Sequence, residues 1–140
     1  MALKVPIAGE ISLLNTLLQN GNLHLHLFQN NYTPIASSVI GNFTEATFSG
    51  YSTTQPLPIT TVKWTTPAND GAGRAIAFNA TFNFSNSTGA VGNQIYGYYV
   101  TDLADATVLW AERFSSAPID MTTAGKTMSM TPAFTLLSEF

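Results

Sequence analysis

From residue 22 onwards, short segments of the sequence alternate between two kinds of side chain with a period of two. Residues 22–29 (NLHLHLFQ) and residues 75–84 (AIAFNATFNF) are the clearest examples. Successive side chains of a β-strand point to opposite faces, so this period is the pattern of a strand whose two faces differ. We therefore predict a strand over each segment, and in the second segment we expect the following side chains to share one face: Ile76, Phe78, Ala80, Phe82 and Phe84.

The other candidate strands are also short, and turn residues separate them. Residues 57–65 lie between two prolines, residues 95–101 and 107–114 flank a turn rich in aspartate, and residues 121–137 are interrupted twice by turn residues. Many short strands with regular turns are typical of antiparallel sandwiches and jelly rolls, whereas a parallel sheet requires alternating helices. The fold class that we predict is all-β, an antiparallel β-sandwich or jelly-roll-like domain.

One segment near the N-terminus has the spacing of an α-helix. Residues 10–20 carry apolar side chains at helical intervals, so they predict a short helix. Before this helix, Pro6 disfavours a central strand, and we expect an extended arm over residues 1–9. The sequence therefore predicts a single domain over residues 1–140, composed of the arm, the helix and a β body over residues 22–137.

Charged side chains are unusually rare in this chain. They make up 9% of its 140 residues, against about 25% in an ordinary domain, and the formal net charge is −3. Threonine, serine and asparagine supply the polar surface instead, and such neutral groups cost less to desolvate than charges do. A surface of this kind suits a protein that works in contact with other protein surfaces.

The same composition excludes several classes of partner. Only five basic residues are present, and they are scattered, which argues against nucleic-acid binding. No apolar run approaches the roughly 20 residues of a membrane span, and the N-terminal residues do not have the pattern of a secretion signal. The absence of cysteine fits synthesis in a cytoplasm.

His24 and His26 are the only histidines, and they lie two residues apart on a predicted strand. Both rings should leave the same face, where they could bind a metal together. A zinc or transition-metal site needs three or four ligands, and the sequence identifies no third one. We therefore expect no metal and no cofactor.

The acidic residues also have structural explanations. Asp102 and Asp105 are accounted for by the predicted turn, and Glu45 by a short helical turn that we expect over Phe43–Phe48. The serines lie in no Gly-X-Ser-X-Gly motif, which hydrolases use to expose a nucleophile. The sequence thus predicts neither enzyme activity nor a small-molecule substrate.

Aromatic side chains crowd the predicted hairpin. Tyr96 and Tyr98 lie on its first strand and Trp110 on its second. A row of aromatic rings on one sheet face could stack against sugars, so these three residues are candidates for a sugar-binding site. The alternative is that they fill the core or a subunit contact.

Several stretches of the chain resemble a family of small virion structural proteins from tailed bacteriophages. The resemblance lies in residues 10–28, 43–51, 96–102, 108–114 and 128–132. It implies a capsid decoration (cement) protein that sits, as a homotrimer, on the outside of the phage head and binds the major capsid protein. It also implies a location on the capsid exterior of the virion, after synthesis in the host cytoplasm. The resemblance assigns a catalytic role to no residue of this chain.

The apolar ends of the chain are the predicted contacts with other subunits. Leu3, Val5 and Ile7 in the arm, and Phe140 at the C-terminal end, are the candidate residues of a subunit or capsid interface. The other interpretation that the resemblance leaves open is a tail or fibre component, such as a receptor-binding or sugar-binding module.

Overall fold

The computed structural model describes residues 5–19, 23–52, 57–59, 65–72 and 74–136. Helix α1 spans Ile7–Gln19, and a 3-10 helix spans Ile40–Asn42. The strands are β1 Leu23–Phe28, β2 Leu57–Ile59, β3 Ala68–Asn69, β4 Ala75–Phe78, β5 Phe82–Ser85, β6 Asn93–Ile95, β7 Gly97–Thr101, β8 Val108–Arg113, β9 Ile119–Met121, β10 Thr127–Met130 and β11 Ala133–Leu136. In the described part of the chain, no helix is long and apolar enough to cross a membrane.

The strands form several sheets, and the predicted all-β class with one short helix is confirmed. The sheet orders are β2-β1-β7-β8, β11-β4-β3, β6-β9 and β10-β5. The ladders whose register is described are antiparallel. A jelly-roll-like arrangement stays a prediction.

The chain divides into two compact units. One contains residues 1–21, 60–82 and 130–140, and the other contains residues 22–59 and 83–129. We call them the helical unit and the main unit. The prediction of a single domain over the whole chain stays a prediction.

In the helical unit, α1 contacts all three strands of the sheet β11-β4-β3. The helix buries Leu14 and Leu18, which lie four residues apart and therefore on one face. The expected extended arm over residues 1–9 is wrong at its end, because the helix already begins at Ile7. Proline is well tolerated at a helix start, and the Pro6 carbonyl accepts the first helical hydrogen bonds.

The prediction of one continuous strand over residues 75–84 is wrong. The segment is divided into β4 and β5, and the face of β4 that carries the larger side chains is not the buried one. Ala75 and Ala77 are fully buried, whereas Phe78 is 44% exposed. Because alanine side chains are small, they leave room for α1 to approach β4 closely, so the aromatic residue faces away.

The main unit is built on the four-stranded sheet β2-β1-β7-β8. Strand β1 pairs with β7 from His24↔Thr101 to Phe28↔Gly97, and β7 pairs with β8. Every residue of β7 is buried, so this strand lies at the centre of the unit. The predicted hairpin over residues 95–114 is confirmed, and the predicted strand over residues 57–65 is confirmed at β2, while residues 60–64 lie outside the described residues.

The helical turn expected over Phe43–Phe48 is wrong. The 3-10 helix ends just before it, and the following residues run antiparallel to the end of β1. The Gln29 amide donates to the Thr44 carbonyl (2.8 Å), and the Ala46 amide donates to the Leu27 carbonyl (2.9 Å). Pairing with β1 satisfies these backbone groups better than an isolated helical turn would.

Candidate functional site

Polar side chains converge on one face of the main sheet, at the end of the β7–β8 hairpin. His24 and His26 leave β1 on the same face, and Thr101 of β7 lies opposite His24 in the ladder. Glu45 reaches this face from the segment that pairs with β1, and Asp105 reaches it from the hairpin turn. We call these five residues the histidine–carboxylate cluster.

His26 is the centre of the cluster, and the residue is almost completely buried, at 3% exposure. Its Nδ1 lies 2.9 Å from Oε1 of Glu45. Its Nε2 lies 3.1 Å from both Oγ1 of Thr101 and Oδ1 of Asp105. Both ring nitrogens therefore face an oxygen-bearing side chain, so the ring is held in one orientation.

Asp105 connects the two histidines. Its Oδ1 lies 2.8 Å from Nδ1 of His24 and accepts a hydrogen bond of 2.7 Å from the Thr101 hydroxyl. Desolvation raises the pKa of Asp105, but the hydrogen bonds from Thr101, His24 and His26 outweigh it and hold the pKa below its ordinary value of 3.8. The Asp105 backbone has φ 53°, a left-handed conformation that aspartate tolerates better than most residues.

Tyr51 holds the other carboxylate in place. Its hydroxyl donates to Oε1 of Glu45 at 3.0 Å and accepts the amide hydrogen of Leu27 at 3.1 Å. Gln29 donates from Nε2 to the Glu45 carbonyl at 2.9 Å. Burial, together with the nearby Glu45 carboxylate, raises the pKa of Tyr51 well above its ordinary value.

A stack of aromatic rings closes one side of the cluster. The His26 ring lies parallel to Tyr99, with centroids 4.7 Å apart, and Tyr99 is stacked in turn on Phe43 at 4.7 Å. Phe28 and Tyr32 contact Phe43 edge-on. Burial, followed by the charges of the two cluster carboxylates, raises the pKa of Tyr99, so this wall stays neutral.

The contacts of His26 place a hydroxyl at one ring nitrogen and a carboxylate at the other, as in a hydroxyl–histidine–carboxylate triad. Here the hydroxyl belongs to Thr101 and the carboxylate to Glu45. Catalysis by such a triad needs a nucleophile that a substrate can reach. The Thr101 side chain is fully buried, and its hydroxyl donates its proton to Asp105 rather than to His26. The arrangement is therefore suited to holding a positive charge between carboxylates and not to attack on a substrate.

A second feature of the main unit is a groove beside strand β8, at the end of the sheet as its described strands form it. Strand β8 ends the sheet order, and residues 34–38 lie beside it. The groove has a volume of about 340 Å³, and its rim carries Ile35, which is 64% exposed, and Leu109. Arg113 donates to the Tyr32 carbonyl at 3.0 Å and so ties the start of this loop to β8.

The predicted interface residues are only partly described. Val5 and Ile7 are half-buried, with Val5 just before α1 and Ile7 as its first residue. Leu3 and Phe140 lie outside the described residues. Contact of these ends with other chains stays a prediction.

The three predicted sugar-binding residues are not brought together on one sheet face. Tyr98 is 2% exposed, and its hydroxyl donates to Glu112 at 2.9 Å. Tyr96 packs on the opposite face, against the aromatic cluster around Tyr99 and beneath the Arg113 guanidinium. Trp110 is opposite Val100, on the Tyr98 side of the ladder. An aromatic row on β7 and β8 is therefore absent from these positions.

Sequence reasoning found the two histidines but missed the residues that surround them. Asp105 was explained by the turn alone, and Glu45 by a helical turn that does not form. The alternation of β1 does place both rings on one face, but no local pattern pointed to Thr101, which lies 75 residues from His26.

Comparison of the chain with protein-family models, with curated proteins and with solved structures found no match.

Proposed function

We propose that this chain is a non-enzymatic structural protein of a tailed-phage virion, a capsid decoration protein that binds the outer surface of the head and stabilises contacts between capsomers. The observation that carries the proposal is the composition: only 9% of residues are charged, and hydroxyl and amide side chains replace the missing charges. A surface of this kind loses little when water is removed from it, which favours extensive contact with other proteins.

The exposed apolar side chains of the main unit support the same proposal. Leu103 is 61% exposed and Val39 is 61% exposed, and both lie in loops. Single exposed apolar residues are ordinary, but here few charges surround them. Many weak neutral contacts, repeated around a shell, add up to stable binding through avidity.

The proposed partners follow from the resemblance to virion proteins. They are further copies of this chain, in a homotrimer, and the major capsid protein. The location is the exterior of the capsid.

Copy number in purified virions tests the proposal. A decoration protein should approach the major capsid protein in abundance, and a quantified gel of purified particles measures this ratio. A few copies to a few dozen copies per particle would instead indicate a tail or fibre component. Absence of the chain from the particles would overturn the virion assignment altogether.

A further inference from the structure

We propose that His24, His26 and Asp105 form a binding site for one divalent transition-metal ion, with zinc as the best match. One ligand atom from each residue lies within 4.8 Å of the others. The site joins strand β1 to the β7–β8 turn, and it is independent of the proposed role in the virion.

Two of the three separations between the ligand atoms are close to those of a zinc site. Oδ1 of Asp105 lies 2.8 Å from Nδ1 of His24 and 3.1 Å from Nε2 of His26. Bonds of about 2.0–2.1 Å place the ligand atoms of a tetrahedral zinc site about 3.3 Å apart. All three atoms lie within 4.8 Å of one another, so a rotation of the side chains that adjusts the separation of the two histidine nitrogens admits the ion.

The hydrogen bonds of His26 are compatible with metal binding through Nε2. Nδ1 of His26 faces the Glu45 carboxylate, which accepts the ring proton that stays on Nδ1 when Nε2 binds a metal. The Thr101 hydroxyl donates to Asp105 and supplies no proton to Nε2. Without a metal, a proton on Nε2 serves the contacts with Thr101 and Asp105, and a bound metal ion takes the place of that proton.

The charges of the cluster match a divalent ion. In the metal-bound state, the two carboxylates, Glu45 and Asp105, contribute two negative charges, and the two imidazoles that bind the metal are neutral. A dication therefore leaves the cluster neutral, which matters because His26 is buried. Two imidazole nitrogens favour zinc and related ions over magnesium or calcium, which prefer oxygen ligands.

The residues around the three ligands also have the arrangement that is common at metal sites. Metal-binding histidines commonly donate their second nitrogen to a carboxylate, which fixes the ring and makes it a better ligand. Glu45 has this role towards His26, and Tyr51 orients Glu45 in turn. The Asp105 side chain is 36% exposed, so an ion can enter and water can complete the coordination.

Metal titration of the purified full chain tests the site. After treatment with a chelator, Co²⁺ binding is followed by its visible absorption, and Zn²⁺ binding by calorimetry. We expect one ion per chain, displacement of Co²⁺ by Zn²⁺, and a melting temperature that rises by roughly 5 °C or more at a hundred-fold excess of Zn²⁺ over its Kd. Failure of the wild-type chain to bind either ion saturably would overturn the proposal.

Matched variants locate the binding. His24→Ala and Asp105→Asn should each weaken Zn²⁺ binding at least ten-fold, and asparagine also tolerates the left-handed backbone of residue 105. Asp102→Asn removes the same charge from the same turn and should change the affinity less than two-fold. Unchanged affinity in both ligand variants would overturn the site. Competition by Mg²⁺ at concentrations similar to Zn²⁺ would do so as well, and that measurement needs no variant.

Discussion

At the scale of single residues, the buried polar groups of the main unit depend on one another. His26 requires both Glu45 and the pair of Thr101 and Asp105 to satisfy its two nitrogens. A buried polar atom that loses its partner costs more than the lost hydrogen bond contributed, because water cannot replace the partner. The orientation of His26 therefore also depends on residues that do not touch it, such as Tyr51, which holds Glu45.

Tyr51→Phe tests that dependence. The substitution keeps the ring but removes the hydroxyl that donates to Glu45 and accepts from Leu27. We expect the free energy of unfolding, measured with urea, to fall by about 1–3 kcal/mol. Tyr32→Phe is the matched control, because its hydroxyl bonds to Ser38 in a part-buried loop and, within the described residues, to no group of the cluster, and the expected loss is below about 1 kcal/mol. Equal losses in both variants would contradict the argument.

At the scale of the elements, β1 shows what a period of two does and does not determine. Leu25 and Leu27 are fully buried on one face. His26 is buried on the other face as well, because Glu45 and the ring of Tyr99 lie against it. The pattern predicts that two faces differ, but not what covers each face.

The contact between β1 and β7 leads to a prediction at Gly97. A Cβ atom built on Gly97 would lie 2.6 Å from two ring carbons of Phe28 and closer still to the Glu112 carbonyl oxygen. The carbonyl belongs to the neighbouring strand and cannot move away without disturbing the ladder. We expect Gly97→Ala to lower the free energy of unfolding by about 1–3 kcal/mol in urea.

Gly41 provides the control for this substitution. A Cβ atom at Gly41 would meet no atom within 4 Å, so Gly41→Ala should change the free energy of unfolding by less than about 0.5 kcal/mol. If Gly97→Ala were equally neutral, the close packing of Phe28 on β7 would be refuted.

At the scale of the whole molecule, the scarcity of charge bears on how the protein associates. The described ion pairs without histidine are Arg74–Asp70 and Lys126–Asp120, and both join residues that are close together in the sequence. Surface pairs of this kind contribute little to stability or attraction. Binding that rests on neutral and apolar contacts should therefore depend weakly on ionic strength.

We accordingly expect the affinity of the chain for undecorated heads to change less than about three-fold between 50 mM and 500 mM NaCl. Sedimentation of heads with increasing amounts of the purified chain measures this affinity. A loss of ten-fold or more at the higher salt concentration would mean that charged groups dominate the interface, contrary to the proposed function.

The sequence by itself determined the class of fold and the position of most strands. The β7–β8 hairpin and the last two strands were predicted from turn residues and alternation, because these depend on neighbouring residues. Alternation placed Ile76 and Phe78 on one face of β4, but it did not determine which face is buried, because that depends on the contact with α1.

Only the tertiary structure decided which residues surround His26. Glu45 lies 19 residues from it along the chain, and Asp105 lies 79 residues away. Both reach the histidine through strand order and register, which local patterns do not specify, because hydrogen-bond partners across a sheet depend on how distant segments pair. The composition, which needs no structure, is the basis on which contact with other proteins is proposed.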